Sequence, residues 1–183
     1  MRKLMVLTTA LMFTVLGLAN TSAAASARNE SYTIHGTAQA VPTVIGTCEG
    51  AEIGQAVPIE VLVTGTATIS RLGRTEVSIV ESGLGICVGA PVPAPIAVFT
   101  ASGTYTAANG DELDFQSTST TPIASVPGTP WFRFSSTDAL LPTGTGRFAK
   151  ATGSLLVVVT FDPTANPTAA WFTINGTITI PKS

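Results

Sequence analysis

The clearest alternation of side chains in this sequence lies at residues 169–180, which read AAWFTINGTITI. From Phe172 to Ile180 every second residue is apolar, apart from Gly176, and polar residues, mostly threonine, fill the positions between them. A period of two residues is typical of a β-strand that turns one face to a core and the other to water. The segment therefore predicts a half-buried strand.

Seven further segments have strand character, and turns rich in Gly, Pro and Asn separate them. The eight predicted strands cover residues 31–40, 57–69, 74–81, 96–106, 112–118, 131–140, 154–161 and 169–180. Residues 82–95 and 121–130 each contain three prolines and are predicted as loops. Strands at this spacing, with no helical periodicity between them, predict an all-β fold, an antiparallel sandwich or barrel.

The N-terminus is typical of an export signal. Arg2 and Lys3 precede an apolar run over residues 4–19, and small residues follow this run as far as Ala27. A basic head, an apolar stretch and a small-residue tail predict a signal peptide over residues 1–27. Cleavage two residues earlier is an alternative, as is an uncleaved anchor helix, for which the run is slightly short of the usual ~20 residues.

The remainder, residues 28–183, is expected to form a single β-barrel domain that is secreted or periplasmic, with no membrane span after cleavage. Charged residues make up 11% of the chain, against about 25% in ordinary domains. Without the two basic residues of the signal, seven basic side chains face eleven acidic ones. This balance excludes the basic patch that a nucleic-acid partner requires.

Two cysteines, Cys48 and Cys87, are present in the chain. In an exported protein such a pair predicts a disulfide, with two separate thiols as the alternative. A zinc site would need four ligands, and the chain has a single histidine. We therefore predict no metal, and export makes dependence on a cytosolic cofactor improbable, so no cofactor is expected.

Three motifs in order resemble a known family. Residues 144–153 (GTGRFAKATG) resemble the Gly-Thr-Gly-Arg/Lys-Phe segment of plant dirigent proteins, and a similar Gly-rich turn precedes a late strand of allene oxide cyclases. Upstream, residues 106–113 (TAANGDEL) and 65–74 resemble segments of exported bacterial proteins that carry near copies of the first motif. The resemblance covers residues 65–180.

The resemblance implies an eight-stranded antiparallel barrel of the calycin-like type, often trimeric, with an apolar cavity. Dirigent proteins steer the coupling of phenoxy radicals, and allene oxide cyclases cyclise a fatty-acid epoxide. Both shape an apolar substrate inside the barrel. Their catalytic residues cannot be transferred, because no motif here aligns with their acidic pocket residues.

A ligand site in such a cavity needs a few polar groups among apolar ones. Three acids are candidate catalytic residues: Asp138, Asp114 and Glu76. Asp138 shares a strand face with Phe134, so it is the acid most expected to point inward, where burial would raise the pKa of its carboxyl. The alternative is that these charges are solvated. The candidate ligand-binding residues are Tyr105, Phe115, Arg133, Phe134 and Phe172.

Three functional hypotheses follow. The protein binds a small apolar molecule in its cavity, or it uses that cavity as a cofactor-independent cyclase or isomerase, or it is a structural or surface-interaction protein with a packed interior. The first two require a cavity bordered by buried polar groups, and the third requires a filled core. A homo-oligomer, trimer or dimer, is compatible with all three.

Overall fold

The computed structural model describes residues 29–162, 164–165 and 168–182. The predicted signal peptide lies outside the described residues. Nine strands occur in the described part of the chain: β1 (Asn29–Ile45), β2 (Ala56–Ile69), β3 (Gly73–Ile86), β4 (Ala94–Ala107), β5 (Glu112–Thr120), β6 (Ala124–Ser125), β7 (Phe132–Leu140), β8 (Thr152–Asp162) and β9 (Ala169–Pro181).

The strands form one closed antiparallel sheet. The order of neighbours is β5-β4-β3-β2-β1-β9-β8-β7, and pairing of β5 with β7 joins the two ends into a barrel of eight strands. The two-residue β6 adds to the edge of β7, where Ala124 pairs with Arg133. The predicted all-β, eight-stranded antiparallel barrel is confirmed. No segment among the described residues forms a helix that is long and apolar enough to cross a bilayer.

Alternation along each strand produces the core. In β9, Phe172, Ile174 and Ile178 are buried inside the barrel, whereas Trp171 and Thr173 face outward. Burying a large apolar side chain stabilises the fold by about 1.5–3 kcal/mol. The two-residue period of β9 therefore reflects a strand with one buried face and one outward face, as the sequence predicted.

Three predicted boundaries are wrong. The first strand was expected to end at residue 40, but β1 continues to Ile45, and β6 lies within the predicted loop 121–130. The third error concerns the end of β3. Residues 82–86 were expected to begin a loop, but β3 continues to Ile86. A Cβ added at Gly83 would collide with the carbonyl oxygen of Ala97 on β4, and one added at Gly85 would press on Pro93. These glycines therefore allow β3 and the neighbouring β4 segment to approach closely where the pairing register shifts twice. They do not form a turn.

The predicted disulfide between Cys48 and Cys87 is present, with Cα atoms 5.6 Å apart. It joins the loop after β1 to the residue that follows β3. Backbone hydrogen bonds hold the same region, since the N–H of Cys48 donates to Pro91 at 3.0 Å and the N–H of Cys87 donates to Gln55 at 3.0 Å. This end of the barrel is thus covalently fixed.

The Gly-rich run closes the opposite end of the barrel. Phe148 is 1% exposed and belongs to the core. Arg147 lies over the Phe148 ring, 4.7 Å from its centroid, and donates to the carbonyl of Leu72 at 3.2 Å. Gly146 has φ +55° and packs against Asp111, where a side chain would collide. These contacts make the run a structural plug.

Candidate functional site

A cavity of about 220 Å³ lies in the barrel, at the end that the disulfide fixes. Its walls come from strands β1 to β4 and β7 to β9 and from the loop that contains Ile123. Most of the lining is apolar, and Glu81 is its only charged side chain among the described residues. The aliphatic and aromatic lining residues include Val61, Val63, Val159, Phe134, Phe161 and Phe172.

The cavity is confined to one half of the barrel because side-chain sizes differ along it. At the other half Tyr105 and Phe115 are each 1% exposed, and their rings stack with centroids 5.1 Å apart. Together with Phe148 they fill the interior. Towards the disulfide end, smaller Val and Ala side chains line the wall and leave space.

Glu81 on β3 is the cavity-lining acid that the sequence analysis missed. It is 7% exposed, and within the described residues its carboxyl has no hydrogen-bond partner. Burial and, to a lesser extent, the neighbouring charge of Asp138 raise the pKa of Glu81 to about 7. A signal was present in the sequence, because Glu81 continues the inward face of Val77 and Ile79 at a period of two.

Asp138 on β7 lies inside the barrel and is 2% exposed. The hydroxyls of Ser117 and Ser136 both donate to its Oδ1, at 2.8 Å and 2.7 Å. Burial raises the pKa of Asp138, and the two hydrogen bonds partly offset that effect. Asp138 therefore has partners for its charge, whereas Glu81 does not.

The two acids belong to one row of inward positions across four neighbouring strands. Glu81 pairs with Ala101, and Ser117 pairs with Asp138. Ala101 and Ser117 lie one residue beyond the paired residues Ser102 and Gln116 of β4 and β5. Because only small side chains separate the acids in this row, the charge of Asp138 acts on Glu81.

The remaining candidates divide between the outside, the packed half and the cavity. Glu76 and Arg133 are exposed on the outer surface. Asp114 is half-buried on the outer side, where Thr104 and Thr143 each donate to it at 2.8 Å. The structure does not bring these three residues to the cavity.

The aromatic candidates are closer to the cavity. Phe134 and Phe172 line it, whereas Tyr105 and Phe115 lie in the packed half. Asp138 interacts electrostatically with Glu81 and Tyr105, and it is not itself part of the cavity wall. The candidate site thus consists of the apolar chamber and Glu81, an acid without a hydrogen-bond partner that faces it. Asp138 lies outside the cavity wall and acts on Glu81 through its charge.

Metal binding has no side-chain cluster to support it among the described residues, where no group of three or more His, Cys, Asp or Glu could hold an ion. No protein-family model, curated protein or solved structure matches this chain. The resemblance to dirigent proteins and allene oxide cyclases therefore stays a prediction from the three motifs.

The chamber can interact with a ligand in two ways. Its apolar walls can take up an uncharged or weakly polar body from water through the hydrophobic effect. Glu81 can then donate or accept a hydrogen bond at the ligand, depending on its protonation state, because its pKa lies close to neutrality.

Proposed function

We propose that the protein is a secreted β-barrel that binds a small apolar molecule in the cavity. The observation that carries this proposal is the apolar chamber itself, formed by side chains from seven strands. A protein with a purely structural role would gain stability by filling that volume, because an unfilled cavity costs stability in proportion to its size.

The size of the chamber limits the ligand. An apolar cavity of about 150 Å³ takes up benzene. The volume of about 220 Å³ therefore suits a single ring with a short side chain, or an aliphatic chain of similar bulk. A larger ligand would have to extend out of the barrel end.

Two observations support the extracytoplasmic and familial parts of the proposal. The disulfide between Cys48 and Cys87 is of the kind that persists in oxidising compartments. The barrel topology and the apolar cavity are what the resemblance to dirigent proteins and allene oxide cyclases implies. We propose kinship with that group, including its exported bacterial members.

The test is binding of a neutral probe, 2-phenylethanol, measured by isothermal titration calorimetry. Wild type should bind it, and Val63→Phe should reduce the affinity at least tenfold because Val63 lines the cavity and a phenyl ring would occupy it. Val80→Phe is the matched control, since Val80 is 41% exposed on the outer face of β3. Equal binding by all three proteins, or binding by none, would contradict the proposal.

A cofactor-independent cyclase or isomerase is the second candidate, because Glu81 could transfer a proton to a bound substrate. Isomerisation leaves the ligand's mass unchanged. If wild type and Glu81→Gln are produced in the natural host, the two should retain isomers of equal mass that separate by chromatography. Recovery of the same compound from both proteins would exclude this candidate.

A further inference from the structure

We propose that the ligand of the cavity is an apolar amine whose protonated nitrogen pairs with the carboxylate of Glu81. This inference rests on the proposed function, since it names the chemical class of the molecule that the chamber binds. It combines three observations about the interior: the partners of its acids, the location of the cations and the nature of the walls.

The first observation is that Glu81 faces the cavity without a partner. It is 7% exposed, lines the chamber, and accepts no hydrogen bond from any described residue. Buried charged groups in proteins are normally paired, because desolvation of an unpaired carboxylate is costly. Asp138 follows this rule through Ser117 and Ser136, so the missing partner is specific to Glu81.

The second observation is the distribution of positive charge. Every Arg, Lys and His side chain that the structure describes is exposed. The interior therefore holds two carboxyl groups and no cation, within the described residues. An ammonium group beside Glu81 would neutralise that carboxylate and reduce its repulsion with Asp138.

The third observation concerns the walls. Apart from Glu81, the lining is mostly aliphatic and aromatic, and the rings of Phe134, Phe161 and Phe172 border the chamber. Aromatic rings attract ammonium groups as well as apolar bodies. An anionic ligand would be repelled by both acids, and a neutral ligand would leave the ionised carboxylate unpaired. A small aryl-alkyl amine satisfies each of these constraints.

Binding should depend on pH in a defined direction. The titratable group that acts on Glu81 inside the barrel is Asp138 from β7. Tyr105 from β4 is a further buried titratable group, and the charge of Asp138 raises the pKa of its phenol. An aliphatic amine keeps its proton up to about pH 10, the range of a lysine side chain. Amine affinity should therefore rise between pH 6 and pH 8, as Glu81 loses its proton, whereas affinity for a neutral probe should not.

The experiment compares two probes of equal shape, 2-phenylethylamine and 2-phenylethanol, by isothermal titration calorimetry at pH 8. Wild type should bind the amine at least tenfold more tightly than the alcohol. Glu81→Gln should lose at least tenfold in amine affinity and keep its alcohol affinity within about threefold. Glu76→Gln, the same substitution at an exposed position of the same strand, should match wild type.

The outcomes separate this inference from the proposed function. If wild type binds the alcohol as tightly as the amine, the amine inference is overturned and the apolar-ligand proposal stands. Tighter binding of the alcohol at pH 6 than at pH 8 would instead indicate a ligand oxygen that accepts a hydrogen bond from protonated Glu81. Absence of binding for both probes would overturn both proposals.

Discussion

At the scale of single residues, the least usual feature of the barrel is a carboxyl group without partners. Glu81 is held in a low-dielectric wall, and burial together with the charge of Asp138 raises its pKa from 4.5 to about 7. An acid whose pKa is higher in the folded state binds its proton more tightly there than in the unfolded chain. Ionisation of Glu81 therefore lowers the free energy of unfolding, whereas ionisation of a salt-bridged carboxylate raises it.

The first prediction concerns stability against pH. The folded state retains the proton of Glu81 between about pH 4.5 and pH 7, so the free energy of unfolding should fall as pH rises through this window, by up to about 3 kcal/mol. Glu81→Gln should remove that part of the fall and be more stable than wild type at pH 8. Urea unfolding at several pH values measures both effects.

Asp138 contributes a further fall in the same direction, because burial also raises its pKa. Some pH dependence should therefore remain in Glu81→Gln. Glu76→Gln is the control and should retain the full wild-type slope. Parallel curves for wild type and Glu81→Gln would show that Glu81 is not desolvated in the folded protein.

At the scale of elements, β3 is the strand on which both the fold and the site depend. It carries Glu81 on its inward face, and just beyond it Gly83 and Gly85 allow β4 to approach closely. The register shifts at these glycines accompany the segment of β4 that supplies Ala94, Pro95 and Val98 to the cavity wall. The glycines thus help to place one side of the chamber.

The second prediction tests this close approach. Gly83→Ala should destabilise the protein by about 1–3 kcal/mol, because the added methyl group meets the backbone of β4, which can relax only by shifting the strand. Ser82→Ala, at the neighbouring exposed position, should stay within about 0.5 kcal/mol of wild type. Urea unfolding measures both variants, and equal stability would refute the role assigned to Gly83.

At the scale of the whole molecule, the two ends of the barrel are built differently. One end is filled by Phe148 and the stacked rings of Tyr105 and Phe115. The other end contains the cavity and is held by a disulfide that closes a sequence separation of 39 residues. Covalent restraint therefore occurs at the end where apolar packing is incomplete.

The third prediction concerns the contribution of the disulfide to the free energy of unfolding. In the chain-entropy account, a loop of this length makes the disulfide worth about 4 kcal/mol, so the double variant Cys48→Ser/Cys87→Ser should lose roughly that much. Urea unfolding of the variant, with reduced wild type as a control of similar stability, measures the loss. Two free thiols in non-reducing mass analysis of wild type would contradict the pairing.

Much of the fold could be predicted from local patterns. The two-residue period of β9 and the turns rich in Gly, Pro and Asn were sufficient for eight strands, since side-chain alternation is a local property of extended backbone. The end of β3 was not predictable in this way. Gly83 and Gly85 resemble turn residues, and only the approach of β4 shows that they lie within a strand.

The candidate site was predicted only in part, because local alternation shows which residues face inward but not what lies opposite them. Asp138, Phe134 and Phe172 were placed on inward faces by their neighbours along the strand, and the structure buries all three. Glu81 shares the inward face of Val77, yet it stood at the presumed end of a strand. Whether an inward position fills space or borders a cavity depends on side chains from seven strands that meet only on closure.

The sequence by itself thus determined the class of the fold, the sidedness of β9 and the pairing of Cys48 with Cys87, because each depends on local geometry or on two residues alone. Only the tertiary structure decided that the barrel is packed at one end and hollow at the other. It also decided that Glu81 faces the hollow without a partner, since the volume and charge balance of an interior are sums over residues far apart in the chain.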